Sequence, residues 1–207
     1  MIGADGPRHQ AALARQYEGR GAPIGSALGI AVIAGSAIAA RLLSLGQPIL
    51  NIDEQFYLLV GDRILTGAWP YVDIWDRKPP VLFAIHAAIR LLGGSGIWQA
   101  QISAIACVVA TGFLINRLAL RLTAPQGALA AGVAYAWWTA LAGGAINQAG
   151  VFFNLMMAAA ALLLVRLIER GPSVGSLLPR ALGAMLLAGL ASRGSSVRPS
   201  RRSRCRR

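Results

Sequence analysis

The chain has 207 residues, 56% hydrophobic and only 14% charged, against roughly 25% charged in an ordinary soluble domain, which excludes a water-soluble globule and makes lipid the expected solvent. Its formal charge of +12 is uneven: seven of the 20 basic residues crowd into Ser192–Arg207, leaving the body only mildly basic at +5. Cys107 in an apolar run and Cys205 in the basic tail suggest neither a disulfide framework nor a metal site.

In chain order, residues 1–23 are polar and are expected to remain in the cytoplasm. No Asp, Glu, Lys or Arg occurs from Gly21 to Ala40. That run exceeds the roughly 7 to 15 apolar residues of a signal peptide and predicts an uncleaved first span over about Ile24–Leu45. Arg41, near its outer end, is expected to snorkel to the interface, with contact to a lipid phosphate as the sharper alternative.

Gly46–Gly96 follows, an exported loop holding five of the eight acids. Two helices are predicted on the membrane surface within it. The first, from Asn51 to Gly67, opens on a capping-box-like pattern of Asn51 and Glu54. Asp53 falls in its first turn, where the helix dipole favours a carboxylate. The second, Val81–Gly94, starts after Pro79 and Pro80 and ends at Gly93 or Gly94. Its apolar run is too short for a span and is interrupted by His86 and Arg90, which share one face toward headgroups or a polar cavity. The extended, aromatic-rich WPYVDIWDRK joins the two.

The charge-free run Leu91–Asn116 predicts span two over Ile97–Ala119. The next, Leu122–Val165, is 44 residues long and would make one helix of roughly 66 Å, about twice a bilayer core. It must therefore break, and GGAINQAG, Gly143–Gly150, supplies helix-weakening residues between span three, Gln126–Ile146, and span four, Val151–Ile168. A fifth run opens near Arg180 and stops at Ala191, where the composition switches to an Arg/Ser-rich tail, 192–207, read as disordered or frame-shifted. The expected fold is an all-α polytopic transmembrane bundle over 24–191, with two juxtamembrane helices in the first exported loop. Lys and Arg in short loops mark the inner side. An inner N-terminus puts Arg8, Arg15 and Arg20, then Arg117 and Arg121, then Arg166, Arg170 and Arg180 on that side together.

The Asp53-Glu54 pair just after span one, the Tyr57-bearing surface helix and the pattern Y-x-D-x-W-D-x-K-P-P over Tyr71–Pro80 carry a resemblance. Over about Ile24–Gly171 the chain resembles the GT-C superfamily of membrane glycosyltransferases, in particular the bacterial branch related to protein O-mannosyltransferases and lipid A aminoarabinose transferases. The resemblance implies transfer of a sugar from a polyprenyl-phosphate donor to an acceptor at the outer face of the bacterial inner membrane, with inversion. Sugar, acceptor and any metal requirement are not specified by these residues.

By that resemblance Asp53 matches the first-loop aspartate that acts as general base or orients the acceptor hydroxyl, with Glu54 as the second catalytic candidate; plain capping and solvation is the alternative for both. Lys78 matches the lysine before proline near the donor phosphate, a compact positive charge. Arg77 shares that role or snorkels, and an interfacial belt of Trp69, Tyr71, Trp75, Arg77 and Lys78 is the alternative. Tyr57, Asp73, Trp75 and Asp76 are assigned to the substrate and acceptor loop; Asp73 and Asp76 hold the basic pair, bind the acceptor or face water.

One departure stands out. Relatives commonly carry an acid at the start of span four, where this chain reads INQAGVFFNL with Gly150 at the expected place. Asn147, Gln148 and Asn154 cannot serve as bases and are expected to make interhelical hydrogen bonds. The implied protein is the N-terminal part of such an enzyme, active when completed by its C-terminal part. Its expected partners are membrane lipid, the lipid-linked donor and an acceptor; without a folded module beside the basic tail, nucleic acid is not expected. The competing class is a non-enzymatic membrane protein, a scaffold or transporter fragment. A transporter should place ionisable residues inside its bundle and often shows repeated halves, whereas here the charges gather in one loop and no repeat is visible.

Overall fold

A computed structural model describes residues 26–47, 52–142, 147–170, 179, 182–186 and 189. The segment 1–23, the tail 192–207, the expected cap Asn51 and the break at Gly143–Ile146 lie outside the described residues. Every regular element described is helical: α1 Ser26–Ala39, a 3-10 turn Leu42–Ser44, α2 Ile52–Leu65, α3 Pro80–Arg90, α4 Ile97–Ala119, α5 Pro125–Leu141 and α6 Ala149–Arg170. The chain is all-α, and α2 and α3 are the two helices expected in the first loop.

Local chemistry explains where these helices start. Pro79 and Ala124 are extended, and each is followed by a proline at the first helical position, where the missing N–H costs nothing. Gly96, at φ +79, precedes α4 in a left-handed conformation that a side chain would strain. Asp53 and Glu54 occupy the first turn of α2 and Arg63 its last, each matching the pole of the helix dipole it faces.

α4 and α6 are long and apolar enough to cross a membrane. α1 and α5, with 14 and 17 residues, are shorter than the roughly 20 residues a span needs. Instead of running on to Leu45, α1 stops at Ala39, and the chain tightens through Arg41 N–H→Ile38 O at 3.0 Å into the 3-10 turn. Arg41 is the reason. It is 1% exposed and folds back to donate to Ala37 O at 3.3 Å, Ala136 O at 3.1 Å and Thr139 Oγ1 at 2.8 Å. Ala37 and Thr139 lie near the C-terminal ends of α1 and α5, so two negative helix poles compensate the guanidinium. The snorkelling expected for Arg41 is thereby corrected: its guanidinium is held inside the protein through Nη1 and Nη2, with Nε buried and unpartnered.

α4 is the hub, packed against α1, α5 and α6 and, along one edge, α3, while α2 pairs chiefly with α3. The α4–α5 crossing is set by two glycines. A Cβ on Gly112 would lie 3.1 Å from Gly132 O, and one on Gly132 would lie 2.7 Å from Gly112 O, with Ile33 of α1 inserted at 2.9 Å from both. A second close approach fixes α2 on α3, where a Cβ on Gly61 would meet the His86 and Ala87 backbone at 2.8 to 2.9 Å. Gln101 on α4 pins the chain leaving α1, accepting from Gly46 N–H at 2.7 Å and donating to Gln47 O at 3.3 Å.

Candidate active site

Adjacent positions on a helix point about 100° apart, and Asp53 and Glu54 use that divergence. Asp53, its side chain half exposed, faces Lys78 with Oδ2 and Nζ 3.9 Å apart. One turn on, on the same face, the fully buried Tyr57 donates its hydroxyl to Asp53 Oδ2 at 3.3 Å. Lys78 Nζ also stands 5.9 Å from the Tyr57 ring centroid, within reach of its π-face. Burial, and then the neighbouring Asp53 charge, raise the Tyr57 hydroxyl above its ordinary pKa, so it remains a donor. Asp53, Tyr57 and Lys78 thus form one group at the start of α2.

Glu54 turns the other way, into the protein. It is buried, and its Oε1 accepts the backbone N–H of Asn147 at 3.0 Å. Desolvation pushes its carboxyl above the ordinary value, while the Asn147 N–H pulls the other way. Glu54 thus ties the α2 start to the α6 start, while the capping pattern expected with Asn51 falls on a residue outside the described ones.

His86 completes this tie. It is fully buried, with Nδ1 2.8 Å from Leu82 O and Nε2 3.1 Å from Asn147 Nδ2. A carbonyl can only accept, so Nδ1 carries the proton and Nε2 accepts from the amide. Burial lowers the His86 pKa and keeps this neutral tautomer. The ring packs 5.2 Å from Tyr57 and edge-on 5.6 Å from Phe152. Of the two surroundings expected for the His86–Arg90 face, the polar interior is found: Arg90 pairs with Asp62 of α2 at 2.5 Å. Asn147 is expected to bond between spans and instead reaches α2 and α3.

The connecting loop is shaped by its own carboxylates. Asp73 Oδ2 accepts Trp69 N–H at 2.8 Å, and Asp76 Oδ1 accepts the backbone N–H of Arg77. Tyr71, at φ +70, is held in that uncommon conformation by its hydroxyl on Lys78 O at 2.6 Å and its N–H on Ile74 O at 2.7 Å. Its ring lies 6.0 Å from Phe83. Asp76 thus steadies the Arg77 backbone, while the partner of the Lys78 ammonium is Asp53. Trp75 is 62% exposed. Beside Lys78, an apolar cavity of about 420 Å³ is lined by Pro79, Pro80 and Val81 and by Leu182, Met185, Leu186 and Gly189.

Gly150, where an acid is expected, has open space around its Cβ position, and the contact from this segment to the α2 acids is made by Asn147. From the sequence, His86 is expected on a face with Arg90 toward headgroups or a polar cavity and Asn147 in interhelical hydrogen bonds; neither is expected to meet the other or Glu54. A histidine six residues past a proline start and an amide in a helix break were the available signals.

The all-helical bundle, with two helices long and apolar enough to cross a membrane, is that of a helical membrane protein. The chain belongs to the dolichyl-phosphate-mannose-protein mannosyltransferase family, whose model matches residues 77–196, more than half of its length. The match takes in Arg77, Lys78, His86 and Asn147, while Asp53, Glu54, Tyr57, Asp73, Trp75 and Asp76 precede it. No curated protein and no solved structure gives a match.

Proposed function

We propose that this chain is a glycosyltransferase that moves a sugar from a polyprenyl-phosphate donor to an acceptor hydroxyl at the outer face of the bacterial inner membrane. The observation that carries the reading is the Asp53–Lys78 pair at 3.9 Å, with Lys78 at the start of the family match. In the transfer, the acceptor oxygen attacks the anomeric carbon and its proton passes to Asp53. The bond from that carbon to the phosphate oxygen breaks, and the electron pair leaves on the lipid phosphate, whose charge Lys78 stabilises, with Arg77 close by. Attack opposite the leaving group inverts the centre. The neutral Tyr57 hydroxyl orients the Asp53 carboxylate, and the apolar cavity at Pro79 and Pro80 suits the first isoprene units of the donor.

Orientation follows from the distribution of charge. The Arg121–Glu169 ion pair joins the α4–α5 turn to the far end of α6, so Arg117 and Arg121 stand at the end opposite Asn147 and the acid cluster. The positive-inside rule then turns the basic end to the cytoplasm and the Asp53–Lys78 end outward, with the N-terminal segment 1–23 inside. Residues 24–191 form the transmembrane unit on this reading.

The test uses membranes carrying the chain and a radiolabelled polyprenyl-phosphate sugar. Wild type is expected to consume the donor, and Asp53→Asn and Lys78→Ala each to lower the rate by about 100-fold or more, the range of a lost general base or charge stabiliser. Equal rates in wild type and both variants would overturn the assignment.

A further inference from the structure

We infer that His86 is a positioning residue for the transfer, acting through Asn147 and Glu54 to set where Asp53 stands; the inference rests on the glycosyltransferase reading above. Each link has its own geometry. Leu82 O fixes the proton on Nδ1 at 2.8 Å, which makes Nε2 an obligatory acceptor. The amide of Asn147 meets that acceptor at 3.1 Å, and the backbone N–H of the same residue meets Glu54 Oε1 at 3.0 Å. Glu54 is the next residue to Asp53, so whatever holds one carboxylate sets the backbone from which the other projects.

The alternative amide orientation is disfavoured. Turning Asn147 Oδ1 toward Nε2 would require a proton on both ring nitrogens, and a doubly protonated ring is a charge in a site with no water access, His86 being 0% exposed. In the orientation adopted, Oδ1 is buried without a hydrogen bond, so Asn147 gives up one bond to keep its donor on His86. The ring has no room to retreat either. Gly61 lets α2 approach the His86 backbone so closely that a Cβ there would lie within 2.9 Å, and Tyr57 and Phe152 flank the ring.

Three single variants of the full chain and one double variant, beside Asp53→Asn, test this in lipid nanodiscs, with kcat and KM for the polyprenyl-phosphate sugar measured separately. His86→Phe keeps the ring and removes both hydrogen bonds. Its kcat is expected to fall by about 10- to 100-fold, the cost of misplacing a reacting group, with KM within about twofold because Lys78 is untouched. His86→Gln can return an acceptor near the Nε2 position and is expected to recover most of kcat. Asn147→Leu should fall as far as His86→Phe, and the double variant no further, because the two act as one unit. Unchanged kcat in His86→Phe while Asp53→Asn is dead would overturn the relay and leave the site reading standing. Full activity in Asp53→Asn would overturn both. If His86→Phe does not fold, as judged by tryptophan fluorescence, a folded His86→Gln with kcat lowered tenfold or more would equally contradict the acceptor role.

Discussion

Two buried contacts among the described residues are built from opposite materials. Where α1, α4 and α5 cross, Gly112, Gly132 and Ile33 meet with backbone carbonyls so close that a single added Cβ would stand 2.7 to 3.1 Å from its neighbours. Where α2, α3 and the start of α6 meet, Tyr57, His86, Asn147 and Glu54 are buried as well but are held by hydrogen bonds and ring contacts. In lipid, helices gain little from the hydrophobic effect on one another and associate through close packing of small residues, which explains the crossing. At the α2–α3 pair most buried polar groups are partnered, which explains the network. The crossing cannot accept an atom, and the network cannot lose one.

The largest effect should come from the part of the network that faces outward. Asp53→Asn keeps shape and volume, so transfer should drop about 100-fold or more with little change in the melting temperature of the solubilised protein. A parallel loss of both would mean that Asp53 is structural. At the crossing the reverse is expected. Gly132→Ala should destabilise the chain by about 1 to 3 kcal/mol through overpacking, read from thermal unfolding in detergent, while the folded fraction retains its lipid specificity. No loss of stability in Gly132→Ala would show that α4 and α5 do not meet as closely as described.

Glu54 gives the comparison a pH axis. Burial raises its folded pKa above the ordinary 4.5, so its contribution to stability is fully present below that value. It is lost as pH rises through the folded pKa, because the unfolded carboxyl ionises more readily. Glu54→Gln should flatten that decline, and a wild-type profile that the substitution leaves unchanged would remove Glu54 from the buried network. His86 runs opposite: burial lowers its pKa, so its contribution is present above about 6.5 and lost as pH falls toward the folded value. The smallest effect belongs to the Arg121–Glu169 pair, at the end away from both. Its side chains are 27% and 48% exposed, so Arg121→Ala should cost no more than about 1 kcal/mol; a larger loss would place that pair among the structural joints.

Much of the helical order was readable from charge and breakers. The run without charges from Leu91 to Asn116 contains most of α4, whose bounds are those expected for span two, and Pro79-Pro80 announced the start of α3. Local signals suffice there because helix starts and apolar runs are local properties. What the sequence did not disclose is long-range. Glu54 looks like a capping residue by its three-residue spacing from Asn51, yet its partner Asn147 is 93 positions away. Arg41 looks like a snorkelling residue until α5 arrives with Ala136 and Thr139. Among 24 glycines, nothing in the spacing singles out Gly112 and Gly132 as the touching pair, since packing alone decides which small residues face each other. Of the candidate site, Asp53 and Lys78 were each singled out through their motifs, but neither their pairing at 3.9 Å nor the His86–Asn147–Glu54 tie was legible.

The central claim is that Lys78, facing Asp53, receives the lipid phosphate. Its most direct measurement is the binding of polyprenyl phosphate to the chain in nanodiscs, by native mass spectrometry, for wild type and Lys78→Ala. The account expects saturable binding by wild type and a dissociation constant at least about tenfold weaker in the variant, a difference of roughly 1.4 kcal/mol. Equal affinity in the two proteins would contradict it.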